Sequence, residues 1–255
     1  MKLTPDHGLV IVTGAGSGLG RALAENLTAR GFNVAGFGRR SQALGETAQA
    51  CHGRFISVTC DVSDPDQVDR AVDDLAKHGP VSLLINNAAI YPHRDFLDET
   101  PHSFAATLNV NLGGVVNCSH AVLRHMVNTG TGRILNVATF ADINPLPTAA
   151  AYSVSKGSAR ILTRALVSDL GDRFPRICIG DWMPGMLQTS MGIPDGIRPE
   201  QAADWGVTLA LHCDPSLNGS IFEMDREILP PRGLKAKIRD LVLMRRRRPR
   251  LISDL

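Results

Sequence analysis

No stretch of this sequence approaches the roughly 20 consecutive apolar residues that cross a bilayer. Met1-Lys2 leads straight into Thr4-Pro5-Asp6, without the apolar core of a secretory leader. No transmembrane segment is expected, and a cytoplasmic location is. Cysteines are few and unpatterned. Cys51, Cys60, Cys118, Cys178 and Cys213 show neither CxxC nor Cys/His ligand spacing, which argues against a disulfide framework and against a metal site. They read as buried thiols in a reducing compartment. An excess of charge of one sign is missing as well, since the formal net charge is +2. The basic residues that exceed balance gather in Arg245-Arg246-Arg247-Arg248 and Arg250, leaving a slightly acidic body. Without interleaved aromatic residues that run does not read as a nucleic-acid site, although an anionic surface is a partner it could meet.

What the chain does have is a large apolar content, 44% over 255 residues, enough to bury the core of a single α/β domain. Strand-like runs at Leu9 to Val12, Val34 to Phe37, Phe55 to Val58, Val81 to Ile85, Arg133 to Val137, Ile177 to Ile179 and Ser220 to Met224 alternate with helical patterns. Seven strands with intervening helices predict a doubly wound parallel sheet, a Rossmann fold, whose strand C-terminal ends share one ligand crevice. No repeat or low-complexity linker precedes residue 230. Past Pro230-Pro231 the composition changes and residues 234–244 have helical periodicity. The expected division is a catalytic domain over 1–230 and a basic appendage over 231–255.

Two local patterns carry chemistry. Thr13-Gly14-Ala15-Gly16-Ser17-Gly18-Leu19-Gly20 stands between an apolar strand and the helical pattern Ala22, Leu23, Leu27. Strand, glycine turn and helix let backbone N–H groups approach a pyrophosphate, and the helix N-terminus favours its negative charge. Farther on, Ala151-Tyr152-Ser153-Val154-Ser155-Lys156 sets a phenol four residues from an ammonium. A free phenol titrates at roughly 10, and a cation beside it is expected to draw that value toward neutrality, making an acid/base.

With both motifs placed, the chain resembles a short-chain dehydrogenase/reductase of the single-domain type, from about Gly8 to Met224. The family's TGxxxGxG turn stands at Thr13 to Gly20, where Gly14, Ser17, Gly18, Leu19 and Gly20 are the implied cofactor contacts. Its acidic adenine contact stands at Asp61-Val62, its NNAG run at Asn86-Asn87-Ala88-Ala89 and its YxxxK at Tyr152 to Lys156. Pro184-Gly185 and Thr189 match the cofactor contacts after strand six. The resemblance implies that Asn87 and Ala88 line the adenosine ribose, that Lys156 binds the nicotinamide ribose and tunes Tyr152, and that Asn111 holds a relay water. The serine that hydrogen-bonds substrate in the family is Thr139 here, which keeps the hydroxyl and adds a methyl group. Gly38-Arg39-Arg40 ends strand two without the acid that selects NAD, and Arg39 resembles the residue that pairs with the 2′-phosphate of NADP.

Departures from the pattern fall on the substrate side. Gly180 replaces an asparagine, and Asp181-Trp182-Met183 are bulkier and more polar than usual, so a remodelled pocket is expected. Gly192 to Arg198 form a short lid. Tyr91, His93, Arg94, Phe140, Ile143, Met186 and Leu187 are the expected walls. The activity implied is NADP-dependent reduction of a carbonyl or oxidation of an alcohol, with Asn111, Thr139, Tyr152 and Lys156 at the chemistry. A dinucleotide-binding regulatory or scaffold protein with weak catalysis is the alternative. Relatives associate through the helices that here hold Asn111 and Tyr152, so a homotetramer, or else a dimer, is expected to use Val115, Val116, Val122, Ile161 and Leu162.

Overall fold

The computed structural model describes residues 1–229 and 248–255. The helical periodicity read over 234–244 and the arginines at 245–247 lie outside the described residues. Eight strands form one sheet in the order β3-β2-β1-β4-β5-β6-β7-β8. They are β1 (Leu9–Thr13), β2 (Val34–Gly38), β3 (Phe55–Thr59), β4 (Val81–Asn86), β5 (Gly132–Val137), β6 (Ile177–Met183), β7 (Ile221–Glu223) and β8 (Arg226–Ile228). The first seven run parallel. The expected seven-stranded parallel sheet is corrected by β8, which pairs antiparallel with β7. Three residues, two of them charged, behind a Met224-Asp225 turn offer neither an apolar run nor a glycine signal to read.

Alternation along the strands sends side chains to two cores. Val10 and Val12 of β1, with Leu83 and Ile85 of β4, pack under α1 (Gly18–Ala29) and α7 (Pro199–Leu211). Ile11 and Leu84 face α3 (Pro65–Ala76) and α5 (Gly114–Thr129) on the other side. Helix α2 (Ser41–Ala50) lies by β3, and α6 (Ala150–Leu170) follows β5. Local signals set the ends. Asp64 caps α3 by accepting from Gln67 N, with Pro65 at the first turn, and Gly130 ends α5 in the left-handed region at φ 67°. Helix α4 (Pro101–Leu108) runs into α5 through a π turn at Asn109–Gly113. That turn inserts an extra residue into the helical rod.

Two expectations change. Asp181, Trp182 and Met183 are buried in the sheet and do not line the crevice, so the unusual strand-six sequence remodels the core instead of the pocket. Gly180 makes room there for Arg133: a Cβ at Gly180 would sit 3.3 Å from Arg133 Nη1. The end of the chain, assigned to the appendage, is docked in its described part. Arg250 clasps Glu227 of β8 through Nε and Nη2, both at 2.8 Å, and Ile252 joins the α1/α7 core.

Arg133 is fully buried, and Nε, Nη1 and Nη2 have no hydrogen-bond partner among the described residues. Its charge is attracted by Cys178, Cys213 and Asp181, but burial dominates and lowers its pKa. Uncompensated burial of a charge costs more than its packing returns. Arg133→Met keeps the volume and removes the charge, and is expected to stabilise the fold by on the order of 1–4 kcal/mol. Urea unfolding of both proteins at pH 6 checks this, and a loss of stability in the variant refutes it.

Candidate active site

The sheet order reverses direction between β1 and β4, and the crevice opens at the C-terminal ends of those strands. It encloses about 810 Å3. Thr13 and Asn87 hold its floor. Thr13 Oγ1 accepts from Asn87 N at 3.0 Å and Ala88 N at 2.9 Å, while Asn87 Nδ2 donates to Thr13 O at 2.9 Å. The glycine turn closes above this clasp. Gly14 has φ 68°, and a Cβ on Gly20 would fall 2.1 Å from Gly14 O, so the turn tolerates glycine alone at both places. Two residues absent from the sequence reading secure it from behind. Arg21 Nη2 donates to Gly16 O at 2.8 Å, and Thr47 Oγ1 donates to Ala15 O at 3.0 Å. No spacing signal marks either residue, because each holds a backbone carbonyl across a helix boundary.

The expected contacts Gly14, Ser17, Gly18, Leu19, Gly20, Arg39, Asp61, Val62, Asn87, Ala88, Pro184, Gly185 and Thr189 all line this one crevice, as do Thr139, Tyr152 and Lys156. Ser17 opens α1 without spending its hydroxyl on a cap, and Arg39 is exposed at the end of β2. The cradle fits a dinucleotide: glycines that leave room for a pyrophosphate, a 12-residue helix starting behind them, and arginine where an acid would exclude a 2′-phosphate. Leu146, Met191 and Ile193 also line the crevice and were not among the expected walls, whereas Arg94 and Ile143 lie off it. Arg94 is bound to Glu99 at 2.7 Å.

Asn111 sits in the π turn, fully buried, behind the crevice wall. Its Oδ1 accepts from Ile90 N at 2.8 Å, and its Nδ2 donates to Ile90 O at 2.9 Å and Ser155 Oγ at 3.0 Å. Ser155 Oγ donates in turn to Tyr152 O at 2.7 Å. Both amide hydrogens are therefore committed, and the side chain latches the β4 loop to the helix that carries Tyr152.

Tyr152 and Lys156 are side by side on α6, yet their electrostatics differ from the expectation. Lys156 is buried and its Nζ donates to Val137 O at 2.8 Å. Burial brings its pKa down to about 8, with the charge of Asp181 acting in the opposite direction. The Tyr152 phenol is raised above its ordinary value, chiefly by burial. A hydrogen bond with Thr139 lowers it and Tyr91 raises it further. Desolvation outweighs the Thr139 hydrogen bond, so the phenol moves away from neutrality and not toward it. Thr139 Oγ1 accepts from Ala141 N at 3.2 Å, which leaves its own hydrogen to donate. Tyr91 stacks on Tyr152 at 4.5 Å and 16°, and His93, strained at φ 49°, stacks on the other face of Tyr91 at 3.6 Å.

Behind this pair runs a buried polar row. Asn86, Asn136 and Asp181 are in register across β4, β5 and β6. Asn86 Nδ2 donates to Asn136 Oδ1 at 2.8 Å, Asn136 Nδ2 donates to Thr163 Oγ1 at 2.9 Å, and Thr163 Oγ1 donates to Asp181 Oδ1 at 2.6 Å. Burial pushes the Asp181 carboxyl up to about 7, against the pull of Thr163 and Arg160.

The chain matches the short chain dehydrogenase family over residues 8–197. It is 36% identical to carbonyl reductase [NADPH] 2 of Sus scrofa over 193 residues, covering 75% of this chain and 77% of that protein. It is 32% identical to L-xylulose reductase of Homo sapiens over 194 residues, with 76% and 77% covered. Among solved structures it is similar to a 3-ketoacyl-ACP reductase from Sinorhizobium meliloti 1021, with TM-score 0.75, 27% identity, and 84% of this chain and 96% of that chain covered.

The raised carboxyl of Asp181 fixes the sign of a pH effect. Because its folded pKa lies above the unfolded value, its protonation stabilises the fold fully below about pH 4 and that contribution is lost as pH rises through about 7. Asp181→Asn, neutral at every pH, is expected to match the wild type near pH 4 and to exceed it by on the order of 3 kcal/mol at pH 8. Unfolding curves at both pH values check this. A difference that does not change with pH refutes it.

Proposed function

The chain belongs to the short-chain dehydrogenase family and is an NAD(P)-dependent oxidoreductase acting on carbonyl or CH–OH groups. From that premise we propose an NADP-dependent carbonyl reductase or alcohol dehydrogenase with Tyr152 as general acid/base. The observation that carries this reading is the half-buried Tyr152 phenol next to the Thr139 hydroxyl in the crevice. NADP(H), when bound, supplies or accepts the hydride. In this reading the Gly14 to Gly20 turn and the start of α1 hold the pyrophosphate, and Arg39 meets the 2′-phosphate. Asp61 and Val62 flank the adenine, Asn87 and Ala88 the adenosine ribose. Lys156 takes the second ribose, with Pro184, Gly185 and Thr189 beside it.

A phenol whose pKa is raised keeps its proton at neutral pH, which suits donation to a carbonyl oxygen and hence reduction. Thr139 donates a second hydrogen bond to that oxygen, and Asn111 fixes the helix that presents Tyr152. The relative named for NADPH supports the cofactor choice. Self-association belongs to the same proposal. An apolar groove between α5 and α6, lined by Val116, Leu123, Val127, Leu162, Leu166 and Phe174, supports it. Of the positions expected to serve it, Val115 and Val122 are buried in the monomer and Val116 and Ile161 are exposed. Five buried cysteines, none in a disulfide, support a reducing, cytoplasmic setting.

Tyr152→Phe removes the transferable proton with little change of shape and is expected to abolish turnover while NADPH still binds. Thr139→Ala is expected to lower kcat by on the order of 10²-fold, and Thr139→Ser to retain it. Steady-state rates on a carbonyl panel check both. If wild type and Thr139→Ser turn over nothing while NADPH binds tightly, the regulatory reading replaces this one. Arg39→Asp is expected to weaken NADPH by on the order of 10- to 100-fold and to favour NADH. Titration of both cofactors decides it, an unchanged NADPH/NADH ratio removing Arg39 from the phosphate site.

A further inference from the structure

Among the described residues, seven of the thirteen exposed large apolar side chains lie on three loops, those that follow β4, β5 and β6. The β4 loop exposes Phe96 at 66% and Leu97 at 93%, the β5 loop Ile143 at 62% and Leu146, and the lid Met186, Met191 and Ile193. Scattered surface leucines mean little, and Phe96, Leu97 and Ile143 lie off the crevice, but apolar side chains that line one opening mark a binding surface. Leu146, Met186, Met191 and Ile193 also line the crevice that ends at Tyr152, so the rim and the chemical site are continuous.

Three charges on the loops after β4 and β5, Arg94, Glu99 and Asp142, are turned on partners within the chain. Arg94 and Glu99 pair at 2.7 Å, and Asp142 takes Arg160 Nη1 through both oxygens at 2.9 and 2.7 Å. Asp95 Oδ1 accepts from Leu97 N at 2.9 Å. A polyhydroxylated substrate needs converging donors and acceptors, and these groups do not supply them.

We propose that the carbonyl compound taken by this site carries a long hydrocarbon body that lies across the apolar rim while its oxygen meets Tyr152 and Thr139. The inference rests on the oxidoreductase reading for its reactive group and on the rim for its body. A sugar is the wrong class of substrate here, although relatives are named for L-xylulose.

The test is a series of 2-alkanones from butanone to decan-2-one, with a ketopentose as the polar comparison, assayed by NADPH oxidation with the full-length protein. The expected result is a kcat/KM that rises about fourfold with each methylene group until the rim is covered, the ketopentose falling below decan-2-one by at least about 10²-fold. Leu146→Ser and Met191→Ser are each expected to lower the decan-2-one/butanone ratio by about tenfold. A flat series, or a ketopentose that rivals decan-2-one, overturns the inference. So does a flat series in which Leu97→Ser changes the sedimentation coefficient, since the patch is then a subunit contact. Binding separates this failure from failure of the catalytic reading. If no ketone is reduced but thermal stabilisation of the NADPH-loaded Tyr152→Phe protein grows with chain length, the catalytic reading fails and the hydrocarbon site stands.

Discussion

The clasp between Thr13 and Asn87 is the constraint on which the rest of the site depends. Strands β1 and β4 lie side by side but send their connections to opposite faces of the sheet, so the backbone must part at that point. Thr13 uses its hydroxyl and its carbonyl to hold the departing β4 chain at Asn87 and Ala88, fixing the width of the crevice. Three residues beyond Asn87, Ile90 is bound on both backbone groups by Asn111, which also donates to Ser155, which donates to Tyr152 O. The next residue, Tyr91, stacks on Tyr152 itself. One loop thus sets the distance between the glycine cradle and the phenol.

Within that frame, burial outweighs the polar neighbour of each member of the Tyr152/Lys156 pair, the Thr139 hydrogen bond for the phenol and the charge of Asp181 for the amine. The amine falls to about 8 while the phenol rises, so the two values, close together for ordinary lysine and tyrosine, move apart. The hydrogen bond from Lys156 to Val137 O ties the amine to the end of β5 without discharging it. Residue spacing could place the two groups on one helix face. It could not say how much water each would lose, and that loss decides the direction of both shifts.

The same limit separates what was legible in the sequence from what was not. Seven strands and the glycine turn follow from apolar runs and motif spacing, which are local, and the residues that line the crevice from the family resemblance those motifs carry. The docking of Arg250 onto Glu227 joins residues 23 apart in sequence, and no local pattern records it. Asp181, Trp182 and Met183 point to the pocket in sequence because they are bulkier and more polar than the family pattern there. The structure spends that polarity on the Asn86–Asn136–Thr163 row and on the Trp182 bond to Met224 O. Of the expected interface positions, Val115 and Val122 pack inside the monomer, and residue spacing alone does not tell an inward helix face from an outward one.

The short lid bears on how such a site selects its substrate. Gln188 N donates to Ile197 O at 2.8 Å, Ile197 N to Met186 O at 2.8 Å and Ile193 N to Leu187 O at 2.9 Å, so the segment is folded on itself. A loop already ordered costs little entropy when substrate arrives, and affinity then depends on the surface it presents. That surface is Met186, Met191 and Ile193. Their exposure carries an aggregation liability for the free protein, which a long closing lid would have covered. Keeping them exposed on a preformed rim is the arrangement expected when the substrate itself covers them.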